Sequence, residues 1–163
     1  MDDLGPDPLH DAETGLPSRA LAMDRLRQAL ARGVRSGAPV TVLHVALART
    51  GGAPNDGWMR RVGGHLASAV RLSDTVARIG PVDFLLICEG MVEMQAGAMT
   101  DRLRRAVAAA GGDAETAIGI GRSAMGTTAE DLLTEAESAA EVDAALRKNR
   151  GDPPPPPPLP HQR

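Results

Sequence analysis

The 163 residues suit one domain, and with 42% of them hydrophobic the chain can bury a continuous core. A net charge of −3 gives no reason to expect a nucleic-acid polymer as partner. Cys88 is the single cysteine, which excludes an internal disulfide and fits a reducing cytosol, and no long apolar run follows the acidic Met1-Asp2-Asp3 opening, so neither a signal peptide nor a membrane span is expected.

Residues 1–13 are acidic, carry Pro6 and Pro8, and read as a flexible N-terminal segment. Thr14-Gly15-Leu16-Pro17-Ser18-Arg19 is a turn into a helix striped by Met23, Leu26, Leu30 and Val34 and stopped by Gly37 and Pro39. Residues 40–48 are a nearly continuous apolar run, predicted to be a buried central strand. A loop at 50–54 leads to a second helix marked by Met59, Val62, Leu66 and Val70. Two short strands, 75–79 and 84–88, flank Gly80-Pro81-Val82-Asp83 as a hairpin. Met99, Leu103 and Val107 stripe a third helix closed by Gly111-Gly112. A strand at 116–120 follows, then a last helix striped by Leu132, Leu133, Ala136 and Ala140. Residues 151–163 are expected to be a disordered tail, since the six prolines at 153–158 form a stiff segment without backbone donors. The order of elements predicts an α/β sandwich whose sheet is at least partly antiparallel. Phe84 and Trp58 are the only aromatics, so the core is aliphatic and alanine-rich, and Phe84 is expected inside it.

Four stretches in order resemble the landmarks of GGDEF domains, the bacterial enzymes that make cyclic di-GMP from two GTP. Asp11-Ala12-Glu13-Thr14-Gly15-Leu16-Pro17-Ser18-Arg19 is similar to the family's opening motif. Arg71 to Phe84 looks like its signature segment, Ala117-Ile118-Gly119-Ile120 its late strand, and Leu132-Leu133 with Ala136-Glu137 its final helix. The resemblance implies a nucleotidyl-cyclase-like sheet flanked by helices and makes residues 14–150 the domain.

Cyclisation of GTP needs two Mg²⁺ held by carboxylates. By the resemblance those carboxylates would stand at Ala46 and Ala48 on the first strand and at Val82 in the signature, and none of these side chains has an oxygen. The signature reads Gly80-Pro81-Val82-Asp83-Phe84, and Pro81 lacks the N–H of the glycine it replaces. Ala144 stands where a phosphate-binding Lys is expected, Glu141 where a Tyr is expected, and Lys148 could match a following Arg. Of the guanine-recognising segment only Asn55-Asp56 remains. Asp83 reads as a solvated turn acid. The expectation is a degenerate, non-catalytic member with no resident cofactor, Mg²⁺ entering only with residual GTP binding.

What is retained is Arg71-Leu72-Ser73-Asp74, an Arg-x-x-Asp that in the family forms the inhibitory, product-binding site. An Arg fork can donate to guanine O6 and N7 together, and a carboxylate can accept from the N1 and N2 hydrogens. Arg102 falls where the family supplies a second Arg, with Arg104 and Arg105 as nearby alternatives. All three ligand-binding candidates, Arg71, Asp74 and Arg102, are expected to be exposed. Equally, Arg71 and Asp74 could be no more than a surface ion pair.

His44 and His65 each stand without a Cys/His/Asp cluster and read as packing residues, as does Cys88. The leading functional reading is a cytoplasmic cyclic di-GMP receptor. The alternative is a ligand-free interaction module, with a protein partner or a second copy of the chain forming a homodimer. A residual cyclase is the third, opposed by the missing carboxylates.

Overall fold

Along the chain the elements are α1 (Arg19–Ser36), β1 (Val40–Arg49), α2 (Asp56–Ser68), β2 (Thr75–Gly80), β3 (Asp83–Glu89), α3 (Glu93–Ala109), β4 (Ala114–Arg122) and α4 (Ala129–Arg150). The computed structural model describes residues 7–49 and 56–151, so the loop at 50–54, Asn55 and the proline-rich tail lie outside the described residues. The strands form one sheet in the order β2-β3-β1-β4, and every pairing is antiparallel. The apolar run predicted as a central strand is β1, hydrogen-bonded on both edges.

Strand periodicity divides the core into two layers. Leu43, Val45, Leu47, Phe84 and Leu86 point to one face, where α2 and α3 cover them with Trp58, Met59, Val62 and Leu103. Val42, Leu85 and Ile87 point to the other, against Leu26 of α1 and Leu132, Leu133 and Ala136 of α4. Phe84 is fully buried, as the hairpin placement predicted.

Local chemistry sets the helix ends. Ser18 caps α1, its Oγ accepting from Leu21 N–H, and Gly37 closes it at φ 77°, a left-handed conformation that favours glycine. Thr128 and Asp131 exchange hydrogen bonds at the start of α4, Thr128 Oγ1 accepting from Asp131 N–H at 3.1 Å and Asp131 Oδ2 from Thr128 N–H at 3.3 Å.

The stripe predicted for α1 is displaced. Its buried residues are Ala22, Leu26 and Ala29, while Val34 is 84% exposed. Near the helix end the chain folds back over Gly33, where an added Cβ would lie 2.7 Å from the Ala38 carbonyl oxygen, so Gly33 rather than Val34 faces inward. Val70 lies beyond the end of α2, and His65 is exposed rather than packed.

Residues 7–13, within the segment expected to be flexible, carry defined contacts. Ser18 N–H donates to Leu9 O at 2.8 Å, Asp11 N–H to Leu16 O at 2.7 Å, and His10 bridges to Pro17.

Candidate functional site

The hairpin places the signature residues against the end of β1. Gly80 pairs with Asp83 across the two-residue turn Pro81-Val82, and Leu47 N–H donates to Val82 O at 3.0 Å. Asp83 is in turn the β3 partner of Ala46, which pairs with Ala117 on β4. The positions that resemblance assigns to metal carboxylates are therefore brought together in space, but Ala46, Ala48 and Val82 offer no oxygen. Among the described residues no group of three or more His, Cys, Asp or Glu is arranged to hold a metal ion. The residues present do not fit the two Mg²⁺ that GTP cyclisation needs.

In their place is a cavity of about 380 Å³ between the sheet and the α1/α4 layer. Alanines at 46, 117, 140 and 144 leave the space open. His44 and Asp83 form its floor, with His44 Nε2 3.3 Å from Asp83 Oδ1. Asp83 is thus more than a solvated turn acid, and His44 is a packing residue with one polar partner. Its other ring nitrogen, Nδ1, is buried with no hydrogen-bond partner. Arg19, Glu137 and Glu141 stand around the cavity on α1 and α4, Arg19 Nη2 lying 3.9 Å from Glu137 Oε1. The lining therefore carries three carboxylates against one guanidinium. Lys148 is exposed on α4 and does not line the cavity.

The Arg-x-x-Asp occupies a separate corner, at the entry to β2. Arg71 N–H donates to Asp74 Oδ2 at 3.0 Å, its Nη2 to Asp74 Oδ1 at 3.3 Å and also to the Glu89 carbonyl oxygen at 3.0 Å. The pair ties the start of β2 to the end of β3. Arg71 keeps 55% of its side chain exposed, but the Asp74 side chain has none exposed, which corrects the expectation that all three candidates face solvent. Cys88 is buried beside this corner. Burial first, and then the Asp74 charge, push that thiol up to about 12. Arg102 is exposed, and its Nη1 donates to the carbonyl of Ala69, two residues before Arg71, at 3.3 Å. A hollow of about 310 Å³ beside Asp74 is lined by Arg25, Gln28 and Arg32 of α1 together with Ser73, Thr75 and Glu89, a contribution from α1 that the sequence spacing did not reveal.

Two clasps are structural. Arg78 donates to Asp11 at 3.2 Å, to Glu13, and to Pro81 O at 2.8 Å, joining the N-terminal turn to the hairpin. Burial alone would raise the Asp11 carboxyl. The Thr14 hydroxyl and N–H, and then Arg78, more than reverse this and hold it below the usual range. Arg104, considered as an alternative to Arg102, is committed elsewhere: it donates to Asp143 at 2.7 Å and to Thr116 O, and Asp143 also accepts from Ile118 N–H at 2.9 Å. Arg105 is exposed.

The sheet order, the two helical layers and the hairpin against the central strand define a nucleotidyl-cyclase-like α/β sandwich. The family model described as "Diguanylate cyclase, GGDEF domain" matches residues 8–150, and the chain belongs to the GGDEF domain family. The bifunctional diguanylate cyclase/cyclic di-GMP phosphodiesterase MucR of Pseudomonas aeruginosa is 32% identical over 103 residues, which is 58% of this chain and 15% of that protein. The chain thus spans a small part of the length of that curated relative. Among solved structures, the GGDEF domain of DgcB from Caulobacter crescentus in complex with cyclic di-GMP superposes with a TM-score of 0.77 at 16% identity, covering 93% of this chain and 95% of that one. Diguanylate cyclase SiaD in complex with its activator SiaC, from Pseudomonas aeruginosa, gives 0.75 at 21% identity, covering 85% and 59%.

Proposed function

We propose that this GGDEF domain does not join GTP and instead receives cyclic di-GMP at the corner formed by Arg71, Asp74 and Arg102. The observation that carries the first part is the make-up of the cleft at Ala46: small apolar side chains where metal ligands are needed, and an excess of carboxylates where a triphosphate would have to lie. Without bound metal, carboxylates repel the substrate's own negative charge. The second part is supported by Arg71, which is half exposed, and by Arg102, which bonds to the Ala69 carbonyl two residues before it. Support by analogy comes from DgcB, a relative in fold solved with cyclic di-GMP.

The buried Asp74 carboxylate changes the role it would play. It holds the Arg71 guanidinium in a fixed plane, and the exposed edge of that guanidinium donates to guanine. The same burial favours a second reading. An Arg–Asp pair already satisfied internally is also what a ligand-free interaction module would carry, and SiaD is a relative in fold solved with a protein activator.

Calorimetry separates the two. Cyclic di-GMP should bind wild-type protein, and Arg71→Ala should weaken it by roughly ten- to hundredfold, or about 1–3 kcal/mol, by leaving ligand acceptors unpaired. Arg102→Ala should weaken it too, whereas Arg60→Ala on α2 should not. With GTP and Mg²⁺ or Mn²⁺ no cyclic di-GMP should form. Absence of heat well above micromolar ligand would remove the receptor reading. Product that scales with protein and disappears in Asp83→Ala would remove the claim of catalytic silence.

A further inference from the structure

One side of α4 is left uncovered among the described residues, and we infer that it pairs antiparallel with the same side of a second copy of this chain, about a two-fold axis at Val142. The helix period of about 3.6 residues per turn fixes which side this is. Glu130 and Glu137 lie two turns apart on one side of α4 and meet Arg27 and Arg19 of α1. Glu135, Val142 and Leu146 fall on the opposite side and are exposed.

Val142 is 59% exposed and Leu146 48%, and neither joins a core layer. One turn apart, they form an apolar stripe that the partly exposed Ala139 continues. The stripe lies toward the open edge of the sheet, because α1 takes the other side and β4 is the end strand of the described sheet. Strand addition is obstructed there. Asp143 accepts from Ile118 N–H and Arg104 donates to Thr116 O, so the outward ladder groups at 116 and 118 are already paired. A partner at this edge therefore meets the helix rather than the strand.

Charge selects a second copy as that partner. Glu135 stands seven residues before Val142, and Asn149 and Arg150 stand seven and eight after it, about two turns each way. Two-fold pairing about Val142 sets Glu135 of each copy against Asn149 and Arg150 of the other. Glu135 and Arg150 are both exposed and have no ion-pair partner among the described residues. Leu146 then lies over Ser138 and Ala139 of the other copy, whose small side chains let the helices approach. A parallel pair would set Glu135 against Glu135. One helix from each copy makes a small interface, so the association is weak and depends on concentration.

Sedimentation velocity of the full chain, from about 10 to about 500 μM, tests this, and the mean mass should rise toward that of a dimer. Leu146→Glu, which places a charge in the apolar stripe, should weaken association by about tenfold or more. Glu135→Arg and Arg150→Glu should each weaken it by about fivefold or more, since each replaces two attractions by two repulsions. Mixed in equal amounts, these two variants should associate as well as wild type, because each charge then meets its opposite on the other chain. All three positions are exposed, so melting temperatures in dilute protein should not change. Arg105→Gln, exposed on α3, should leave association as it is. The inference fails if the full chain stays monomeric at about 500 μM. A dimer that Leu146→Glu leaves intact would place the contact elsewhere and overturn it. Failure of the mixture to recover would overturn the antiparallel pairing and give this side of α4 to another occupant. None of these residues belongs to the Arg71 corner, so failure here and failure of the cyclic di-GMP reading are separately visible.

Discussion

The contact between β4 and α4 yields the sharpest test of the fold. A Cβ added at Gly119 would lie 2.0 Å from the Ala136 carbonyl oxygen and 2.2 Å from the Ala140 nitrogen. A carbon needs about 3.3 Å to an oxygen even in a favourable contact. Gly119→Ala must therefore drive α4 off the sheet by more than about 1 Å, and both atoms it meets are backbone that no rotamer change can move aside. The helix would carry Leu132, Leu133, Ala136 and Ala140 with it, all of them buried. Overpacking usually costs about 1–3 kcal/mol, and a clash with backbone belongs at the upper end, about 3 kcal/mol. For a domain of this size that corresponds to a fall in melting temperature of roughly 6–12 °C. The control is Gly97→Ala on α3, where an added Cβ meets nothing within 4 Å. Removing a glycine from an open helix interior should stabilise by about 0.5–1 kcal/mol. Thermal and urea unfolding followed by circular dichroism would read both variants. A Gly119→Ala protein that melts within about 2 °C of wild type would refute the claimed helix–sheet approach.

Phe84→Ala should cost about 3–5 kcal/mol, the range for truncating a fully buried aromatic, measured as a shift in urea midpoint at constant slope. An unshifted midpoint would place Phe84 outside the core. The Asp143 carboxyl, which burial alone would raise, is held below the usual aspartate range by Ile118 N–H, Arg104 and Arg147. Its stabilising contribution is therefore present above the ordinary value of about 3.9 and lost as pH falls through the lower folded value. Asp143→Asn should be clearly less stable than wild type at neutral pH, and the gap should narrow as urea midpoints are compared at pH values successively lower than the ordinary aspartate range. A gap that stays constant with pH would show that the carboxylate charge contributes nothing.

Much of the fold follows from pattern alone. The apolar run of β1 requires burial on both faces, which a central strand supplies. The turn residues around Pro81 allow only a hairpin, and the stripes of α3 and α4 have the helical period, with Met99, Leu103, Leu132 and Ala136 all inside. The same letters show that Ala46, Ala48 and Val82 have no side-chain oxygen, because that is a property of the residue itself. Partnerships between distant segments were beyond such reasoning. That His44 meets Asp83, that Arg104 is committed to Asp143 rather than to a ligand, and that α1 lines the hollow beside Asp74 each depend on which strands become neighbours. The sequence marks Arg71 and Asp74 as a candidate pair but cannot say that the carboxylate is fully buried, since that depends on β3 and Cys88 packing beneath it. Val34 was placed inside because it fits the helical stripe, whereas the return of the chain over Gly33 turned it outward. Spacing along the chain determines which face a residue occupies on its own element, while burial, pairing and the charge of a cavity are set by what the other elements bring to that face.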